Sequence, residues 1–424
     1  MKVLMLSKNG NGLGIAYKLT LEGHHVDVWI KDPKYKNDLK GIVGRPTEWR
    51  PLIAGADLIL CDMVGFSQHS EIFAKLGKPT LCCNPVADLI ELDRLKGLET
   101  FKRVGITQPD YWSYNSPEEC LADLDKIWES EGLVLKPFGN IDTGKTYVCD
   151  EIELARWALS TYPKGTKVVA QCKVTGVEVS TEGWFNGREF ISPFNHTFEE
   201  KKFMAGGVGR MVGCMGNIVI TSKGNKLIDA TVRKMESTLK KIGYRGPIDI
   251  NCIVTKDQVY GLEFTCRFGY DAIEALMQGL REPIGNLLFE TAIGSASSMN
   301  ISSDYLMTVR VTRDPYPTDP QLLPKLDQDI GMPILGIKSQ DIPHVYLCGV
   351  YLDGETLRYG GSDGVVLKAT GFGRTIPEAQ KRTYKVISNI KAIDIQYRTD
   401  IGTRAIDDIK QLADWGWIDK PKEQ

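Results

Sequence analysis

The sequence predicts a three-domain protein of mixed α/β and α+β class. A length of 424 residues exceeds what one hydrophobic core usually serves. The N-terminal part alternates strand-like and helix-like runs, whereas later parts place strands side by side in hairpins. The expected domains are residues 1–99 (α/β), 100–298 (α+β) and 299–424 (α+β).

The first domain is expected to contain a mostly parallel sheet. Its predicted strands are Lys2–Leu6, Val26–Ile30, Asp57–Cys61 and Pro79–Cys83. The turn Gly10-Asn11-Gly12-Leu13-Gly14 differs from the dinucleotide pattern Gly-x-Gly-x-x-Gly, and no acidic residue ends the second strand at Ile30-Lys31. We therefore expect a tight strand-to-helix turn that contacts substrate or phosphate, in preference to an NAD(P) site.

The second domain is expected to mix helices with strands. Ser116-Pro117-Glu118-Glu119 is typical of a helix start, with an N-cap serine and proline in the first turn. Apolar spacings of four and three predict one helix that ends at Gly243, with its buried face formed by Ile228, Val232, Met235, Leu239 and Ile242. Four strands are predicted, the last two of which form a hairpin around Lys256-Asp257: Leu133–Phe138, Val168–Cys172, Ile248–Val254 and Val259–Phe264.

The third domain begins with β structure and ends with a helix. Strands are predicted at Met307–Val311, Val345–Tyr351 and Gly364–Thr370. Thr375 and Glu378 are placed to cap a helix that follows them, and Pro315–Pro320 is expected to be a loop.

Composition excludes several classes of protein. A net charge of −2 argues against a protein that grips nucleic acid, because such proteins carry a positive excess. The apolar runs are too short to span a membrane, and the N-terminus lacks a signal-peptide pattern, so the cytoplasm is the expected location. Ten cysteines without a Cys-x-x-Cys pair predict buried thiols, with neither disulfides nor a zinc site.

Two lysines are candidates for binding phosphate. Lys136 lies on a predicted strand, and Lys145 follows a turn that runs from Gly139 to Gly144. Lysine offers a point charge to phosphate, and glycine lets backbone N–H groups approach it. Taken singly, each lysine is also compatible with a solvated surface position.

Further along the chain, polar residues on strands suggest a nucleotide and metal site. Gln171 ends a strand that could bond an adenine, and the Glu178 carboxylate could accept from ribose hydroxyls. Asp249 and Glu263 lie on the two strands of the predicted hairpin, where buried like charges need a cation such as Mg²⁺. Asn251 and Thr265 could add neutral oxygens. The competing interpretation is a pair of structural carboxylates bonded to Arg245 and Arg267.

The order Lys136, Lys145, Glu178, Asp249, Glu263 resembles the ATP-grasp superfamily, and more narrowly the phosphoribosylamine–glycine ligases. The resemblance runs nearly end to end. It rests on segments in all three parts of the chain: Leu92–Phe101, Thr175–Ser180, Asn195-His196 with Lys201-Lys202, Gly206-Gly207 with Gly213–Gly216, Glu263–Gly269, Gly371–Ala379 and Tyr397–Gly402.

The resemblance implies an ATP-grasp fold with an N-terminal Rossmann-like domain and a C-terminal α+β domain. ATP and Mg²⁺ (or Mn²⁺) would bind, a carboxylate would become an acyl phosphate, and an amine would displace the phosphate. The implied cofactor-binding residues are Lys136, Lys145, Gln171, Cys172, Glu178 and Lys202. The implied metal ligands are Asp249, Glu263, Thr265 and Asn251, and the implied catalytic residues are Arg267 and His196.

Four departures from the family fall where substrates would be held. Thr265 replaces a metal-binding Asn, and Gly209-Arg210-Met211-Val212 lies in an altered glycine-rich loop. Tyr270-Asp271 follows the Arg-Phe-Gly segment, and the N-terminal loop Ser7-Lys8-Asn9-Gly10 lacks the usual Gly-rich start with an Arg-Glu pair. Three hypotheses follow: joining of glycine to 5-phosphoribosylamine, the same chemistry on another acid and amine such as a modified nucleotide, or nucleotide binding without turnover. All expected partners are small molecules, with no membrane or nucleic acid polymer, and the chain is expected to be a monomer or homodimer.

Overall fold

The fold is described from a computed structural model, which covers residues 1–138, 146–314, 316–317 and 329–420. The strands of these residues are β1 (Lys2–Ser7), β2 (His25–Ile30), β3 (Leu58–Cys61), β4 (Thr80–Leu81), β5 (Tyr111–Tyr114), β6 (Leu133–Phe138), β7 (Tyr147–Cys149), β8 (Lys167–Cys172), β9 (Val177–Phe185), β10 (Phe190–Glu199), β11 (Lys202–Met204), β12 (Val208–Met211), β13 (Gly216–Ser222), β14 (Gly246–Val254), β15 (Val259–Thr265), β16 (Tyr305–Arg313), β17 (Pro333–Ile334), β18 (Val345–Leu347), β19 (Val350–Asp353), β20 (Thr356–Tyr359), β21 (Val365–Gly373) and β22 (Ile395–Gln396).

The helices of the same residues are α1 (Leu13–Leu21), α2 (Ser70–Lys75), α3 (Pro85–Leu92), α4 (Arg94–Val104), α5 (Pro117–Ile127), α6 (Ile152–Thr161), α7 (Lys226–Ala230), α8 (Glu236–Ile242), α9 (Ala272–Gly279), α10 (Ile284–Ile293), α11 (Ile376–Asn389) and α12 (Thr403–Asp414). Short 3₁₀ turns join several of them.

The N-terminal sheet is parallel, in the order β2-β1-β3-β4. This confirms the four predicted strands and their parallel arrangement. The strand order reverses between β1 and β3, so the crevice at their carboxyl ends lies beside Ser7 and Asp62.

The central sheet has nine strands in the order β15-β14-β9-β10-β13-β16-β21-β18, with β22 paired to β16. The predicted hairpin is confirmed as β14 and β15, which pair antiparallel. Strand β16 pairs with β13, so this sheet continues across residues 298 and 299. The division of the chain into residues 1–99, 100–298 and 299–424 remains a prediction.

A separate four-stranded sheet has the order β5-β8-β6-β7. Helices α5 and α6 cover one of its faces and form a core of their own, which includes Leu124, Leu133, Ala155 and Leu159. Ser116 caps α5 as predicted, because its hydroxyl accepts from the N–H of Glu119. The small sheet can therefore keep its shape independently of the central sheet.

The prediction of one continuous helix that ends at Gly243 is wrong. Helix α7 ends before Thr231, whose φ of −124° and ψ of −105° are not helical, and α8 resumes after a 3₁₀ turn at Val232–Met235. The Thr231 hydroxyl donates to the carbonyl of Leu227 at 2.6 Å, a local bond that competes with helix geometry. The predicted end is correct, since Gly243 has a φ of +63°.

Two further predictions need correction in the C-terminal part. The run Val345–Tyr351 forms two strands, β18 and β19, which separate at Cys348-Gly349. Helix α12 was not predicted, whereas α11 is capped by Thr375 as expected. The loop predicted at Pro315–Pro320 falls largely outside the described residues.

The cysteine prediction agrees with the structure, since all ten thiols are free and eight are buried. Within the described residues, no helix has the length and apolar character that crossing a bilayer requires.

Candidate active site

A cavity of about 810 Å³ lies between the small sheet and the central sheet. Strands β6, β7 and β8 form one wall, and strands β9, β10, β14 and β15 form the other. Residues from the start of α4 and from the loop after β15 close one end. The cavity is large enough for a nucleotide and a small second substrate.

One face of the β14–β15 hairpin carries four oxygen-bearing side chains, which we call the oxygen face: Asp249, Asn251, Glu263 and Thr265. Asp249 lies opposite Thr265, and Asn251 lies opposite Glu263. Side chains two residues apart on a strand share a face, so all four point into the cavity that they line. The structure thus brings together all four predicted metal ligands.

The two carboxylates of the oxygen face differ in their electrostatics. Asp249 is buried, and its Oδ1 atom receives no hydrogen bond from the described residues. Burial, and then the nearby carboxylates Glu182 and Glu199, raise the pKa of Asp249 well above its usual value. The Glu263 side chain is 53% exposed. Desolvation by the cavity walls acts to raise its pKa, but the cations around it, Lys201 first, lower the pKa overall. A buried carboxylate oxygen without a donor is what a bound cation would satisfy.

Four cations surround the same cavity, and we call them the cation wall: Arg94, Lys136, Lys201 and Arg267. Arg94 lies at the first position of α4, and its NH1 atom is 4.0 Å from Oε2 of Glu263. The sequence analysis did not select Arg94 or Lys201. Only Lys136 comes from the small sheet, whereas Lys201 and Arg267 lie on the same side as the oxygen face. All four cations lower the pKa of Glu263, so they are grouped around this end of the oxygen face.

Lys136 is buried on β6, where its Nζ donates to Oε1 of Gln171 at 2.7 Å. Burial, and then the charge of Arg94, lower the pKa of Lys136 to about 8. The Nε2 atom of Gln171 is buried without an acceptor among the described residues. An acceptor from a ligand in the cavity would satisfy it.

Cys172 lies at the end of β8 and lines the cavity, as predicted for a residue near a base. Its N–H already donates to the carbonyl of Asp110 at 2.8 Å, so that group is not available to a ligand. Lys145 and the turn from Gly139 to Gly144 lie outside the described residues.

Glu178 lies on β9 and lines the cavity, with its Oε1 bonded to Nζ of Lys201 at 2.6 Å. Lys201 is also 3.6 Å from Glu199. Burial alone would lower the pKa of Lys201, but these two carboxylates raise it, so the lysine is charged at neutral pH.

Lys202, which was selected as a cofactor-binding residue, is an exposed residue at the start of β11 and does not line this cavity. Its neighbour Lys201 does. The reason is alternation: Thr197, Glu199 and Lys201 point to the cavity, and the residues between them point away.

Arg267 follows β15 and lines the cavity, where two neighbours fix its direction. Its Nε donates to Oε1 of Glu91 at 2.9 Å, and its guanidinium stacks 3.9 Å from the ring centre of Tyr270. Glu91 also accepts from the N–H of Cys266. Burial would lower the pKa of Arg267, but Glu91 and its other neighbours raise it. Its NH1 donates to the carbonyl of Phe268 at 3.2 Å, which leaves NH2 for an anion in the cavity.

The prediction that His196 is catalytic is wrong, because this residue does not line the cavity. His196 is fully buried on the opposite face of β10, where Nδ1 contacts the hydroxyl of Thr181 at 3.0 Å and Nε2 accepts from Asn225 at 2.9 Å. Burial lowers its pKa to about 4, so the ring is neutral at physiological pH. This histidine belongs to the core behind the sheet.

The turn after β1 is fixed to the residue that follows β3, Asp62, by hydrogen bonds. The Asp62 carboxylate accepts from the N–H of Gly12 at 2.7 Å and from the Ser7 hydroxyl at 2.6 Å. Burial raises the pKa of Asp62 to about 6. A protein carboxylate therefore occupies the start of α1, where a dinucleotide would place its pyrophosphate.

The side chains of the oxygen face can be compared with the ligands that a divalent cation needs. Among the described residues, no group of three or more His, Cys, Asp or Glu side chains is arranged to hold a metal ion. The oxygen face offers two carboxylates, one amide and one hydroxyl, and Asp249 Oδ1 lacks a donor. Mg²⁺ in nucleotide sites uses one or two carboxylates together with phosphate oxygens and water, so this set fits Mg²⁺ or Mn²⁺ held jointly with a nucleotide.

Comparison with known sequences points to one group of proteins. No family model matches the chain. The chain is 28% identical to the phosphoribosylamine–glycine ligase of Streptomyces coelicolor over 335 residues, which are 74% of this chain and 77% of that protein. It is 24% identical to the phosphoribosylamine–glycine ligase of Lactococcus lactis, with 96% of this chain and 100% of that protein covered.

Comparison with solved structures gives the same fold. The phosphoribosylamine–glycine ligase of Thermotoga maritima has a TM-score of 0.71 at 21% identity, covering 95% of this chain and 100% of that one. A biotin carboxylase of Campylobacter jejuni has a TM-score of 0.65 at 14% identity, covering 97% and 96%. The predicted ATP-grasp fold is confirmed, because the chain shares the architecture of these solved structures over nearly its whole length.

Proposed function

We propose that the chain is an ATP-dependent carboxylate–amine ligase, which forms an amide through an acyl phosphate. The observation that carries this proposal is that the oxygen face and the four residues of the cation wall line a single cavity. The oxygen face offers ligands for a metal ion, and the cations offer positive charge to phosphate groups. A single nucleotide in the cavity could contact both. Catalysis in such a site comes from positioning and from electrostatic stabilisation of the transition state.

In this proposal the nucleotide lies across the cavity from the small sheet to the hairpin. The adenine lies near Gln171 and Cys172 at the end of β8, and Glu178 accepts from the ribose hydroxyls. Lys136 and Lys201 contact phosphate oxygens. The free Nε2 atom of Gln171 supports this placement, since it needs an acceptor in the cavity.

The oxygen face would hold Mg²⁺ or Mn²⁺ against the phosphates. When bound, the metal would neutralise phosphate charge. Asp249 and Glu263 would supply the carboxylates, with Asn251 and Thr265 as neutral oxygens or as hydrogen-bonding support. The Asn251 side chain already donates to the hydroxyl of Ser180 at 3.0 Å, which leaves its amide oxygen for the cavity.

The proposed reaction has two steps. A carboxylate oxygen of the first substrate attacks the γ-phosphorus, the bond from this phosphorus to the β–γ bridging oxygen breaks, and ADP leaves. The nitrogen of the amine then attacks the acyl carbon, phosphate leaves with the former carboxylate oxygen, and the nitrogen loses a proton. Arg267, oriented by Glu91, would bind the carboxylate and then the acyl phosphate.

The first substrate pair to test is glycine with 5-phosphoribosylamine, because the relatives are ligases of that name. A second candidate is another acid and amine, and the structure at the start of α1 favours it. There the Asp62 carboxylate takes the N–H of Gly12, so this helix end does not attract a phosphate group of a substrate.

The test is phosphate release from Mg-ATP with glycine and 5-phosphoribosylamine, each component being omitted in turn. Release that needs both substrates supports the first pair. With carboxyl-¹⁸O-labelled acid, one labelled oxygen should appear in the released phosphate, since the acyl phosphate transfers it. ATP binding without release across a broad panel of acids and amines would contradict the ligase proposal and favour nucleotide binding without turnover.

A further inference from the structure

The hairpin of β11 and β12 contributes to the wall of the large cavity between the small sheet and the central sheet. Arg210 and Met211 on β12, and Gly213 after it, line this cavity. Arg210 lies in the glycine-rich loop where the sequence departs from the family that it resembles. A residue that differs from the family and also lines the site is a candidate for deciding which substrate binds.

Hydrogen bonds to the C-terminal part of the chain hold this hairpin in place. The N–H of Gly206, in the turn between the two strands, donates to Oδ2 of Asp400 at 2.8 Å. Arg398 donates from NH1 to the carbonyl of Lys202 at 2.9 Å. The same arginine binds Asp400 through two hydrogen bonds of 2.8 and 2.7 Å. Strand β12 is therefore presented to the cavity from an anchored base.

The side chain of Arg210 is held at one atom and is otherwise available to a ligand. Its NH1 atom donates to the carbonyl of Pro317 at 2.9 Å, which fixes one end of the guanidinium. Among the described residues, no Asp or Glu oxygen lies within 4.0 Å of this guanidinium, and its Nε and NH2 atoms have no acceptor. A planar anion in the cavity can therefore accept two hydrogen bonds from the remaining donors.

The other cations that line the described part of the cavity each have an acidic or amide side chain of the protein within 4.0 Å. These pairs are Arg94 with Glu263, Lys136 with Gln171, Lys173 with Asp150, Lys201 with Glu178 and Arg267 with Glu91. The proposed nucleotide and the reacting carboxylate also draw on this set. Arg210 thus adds a positive charge, on a different element, that no side chain of the described residues offsets.

We propose that Arg210 is a specificity-determining residue, which binds an anionic group that one substrate carries in addition to its reacting carboxylate or amine. This inference rests on the proposed ligase function. The group is a carboxylate or a phosphate monoester, since both present paired oxygens to a guanidinium. The start of α1 does not provide this charge, because the Asp62 carboxylate already accepts from the N–H of Gly12. Arg210 provides it from the opposite end of the chain's fold, on the β11–β12 hairpin.

The test is calorimetric titration of the full chain, saturated with Mg-ADP, with succinate, glutarate, glycerol 3-phosphate and ribose 5-phosphate. At least one of these anions should bind the wild type, and Arg210→Ala should weaken that binding about tenfold or more, since a hydrogen-bonded charge is lost. Arg210→Lys should lie between the two, because an ammonium keeps the charge without the planar fork. Lys202→Ala is the matched control and should bind as the wild type does, since Lys202 lies on the same hairpin and does not line the cavity.

The four probes also distinguish the two kinds of anion. Binding of the dicarboxylates alone assigns a carboxylate to the substrate, and binding of the phosphate monoesters alone assigns a phosphate. The affinity for Mg-ADP itself should be the same in Arg210→Ala and wild type. Absence of binding of every probe to the wild type, equal probe affinities in Arg210→Ala and wild type, or a loss confined to Mg-ADP would overturn the proposal.

Turnover separates this inference from the ligase proposal on which it rests. With a substrate pair that releases phosphate, Arg210→Ala should raise KM for one substrate about tenfold and change kcat less, because the contact is made before the reaction as well as during it. An unchanged KM for both substrates would reject Arg210 and keep the ligase. Probe binding that needs Arg210, without phosphate release for any pair, would keep the anion site and contradict the ligase. The titrations with the four probes are repeated without nucleotide if Mg-ADP does not bind.

Discussion

The Nζ atom of Lys201 lies 2.6 Å from Oε1 of Glu178, and this ion pair joins the end of β10 to the neighbouring strand β9 inside the large cavity. Glu199 contributes a second carboxylate at 3.6 Å. In the proposed binding mode, the phosphate of a nucleotide would share Lys201 with these carboxylates, and its ribose would share Glu178 with the lysine.

Lys201→Ala should therefore lower kcat/KM for ATP by about 100-fold, which corresponds to about 2.7 kcal/mol of transition-state stabilisation. Lys202→Ala is the matched control, since it removes the adjacent lysine, whose side chain is exposed outside the cavity. Steady-state kinetics of both variants test this. A larger loss for Lys202→Ala than for Lys201→Ala would contradict the placement.

Glu263→Gln should raise the Mg²⁺ concentration needed for half-maximal activity by about tenfold or more. The change removes one of the two carboxylates of the oxygen face and keeps its size. Thr265→Asn should have the opposite effect, because an amide oxygen is a better metal ligand than a hydroxyl beside Asp249. Activity measured as a function of Mg²⁺ concentration at saturating ATP distinguishes the two variants. An unchanged Mg²⁺ requirement in Glu263→Gln would show that Glu263 is not a metal ligand.

ATP affinity should fall several-fold between pH 7.5 and 9. The pKa of Lys136 is about 8 in the free protein, so its positive charge is present below that pH and is lost above it. Lys136→Arg keeps the charge across this range and should remove most of the pH dependence. Calorimetric titration of wild type and variant with Mg-ATP makes the comparison. Parallel pH curves for the two proteins would show that another group is responsible.

His196→Leu should reduce stability and leave the reaction intact. The change removes the partner of the buried Thr181 hydroxyl and one of the two acceptors of the Asn225 amide, which keeps Ser222, at a cost of about 1–3 kcal/mol. The unfolding midpoint should fall while kcat changes by less than about twofold. A large loss of kcat in a folded variant would restore a catalytic role for this histidine.

The same histidine gives stability a pH dependence of known sign. Its pKa is about 4 in the folded protein and about 6.5 when unfolded. The unfolded state thus binds the extra proton, and stability is lost as the pH falls from 6.5 towards 4, by up to about 1.4 kcal/mol per pH unit. Denaturant unfolding at several pH values should show a shallower slope in His196→Leu than in wild type.

Alternation along strands explains both the successes and the errors of the sequence analysis. The hairpin was predictable because its polar residues are spaced by two, so that Asp249 with Asn251, and Glu263 with Thr265, must share a face. The same rule applied to β10 would have grouped His196 with Phe194 and Phe198, both of which are buried in the core. It would also have selected Lys201 over Lys202.

Other features depend on contacts between distant parts of the chain. Arg94 reaches the cavity only because α4 packs beside β15, and no local pattern signals this. The break at Thr231 interrupts an otherwise regular apolar spacing, since the Thr231 hydroxyl bonds the backbone of the preceding turn. The hydrogen bond from the Asn37 amide to the Gly360 carbonyl likewise joins segments 323 residues apart in the chain.

The pairing of β13 with β16 has a consequence for the way the protein unfolds and can be cut. A chain that ended at residue 298 would expose the free edge of β13, whose N–H and C=O groups would then seek a strand from another molecule. The C-terminal strands therefore cover the edge of β13 and prevent it from pairing with a strand of another molecule. Among the described residues, the small sheet shares no strand ladder with the other sheets, so we expect proteolysis and hydrogen exchange to reach it first.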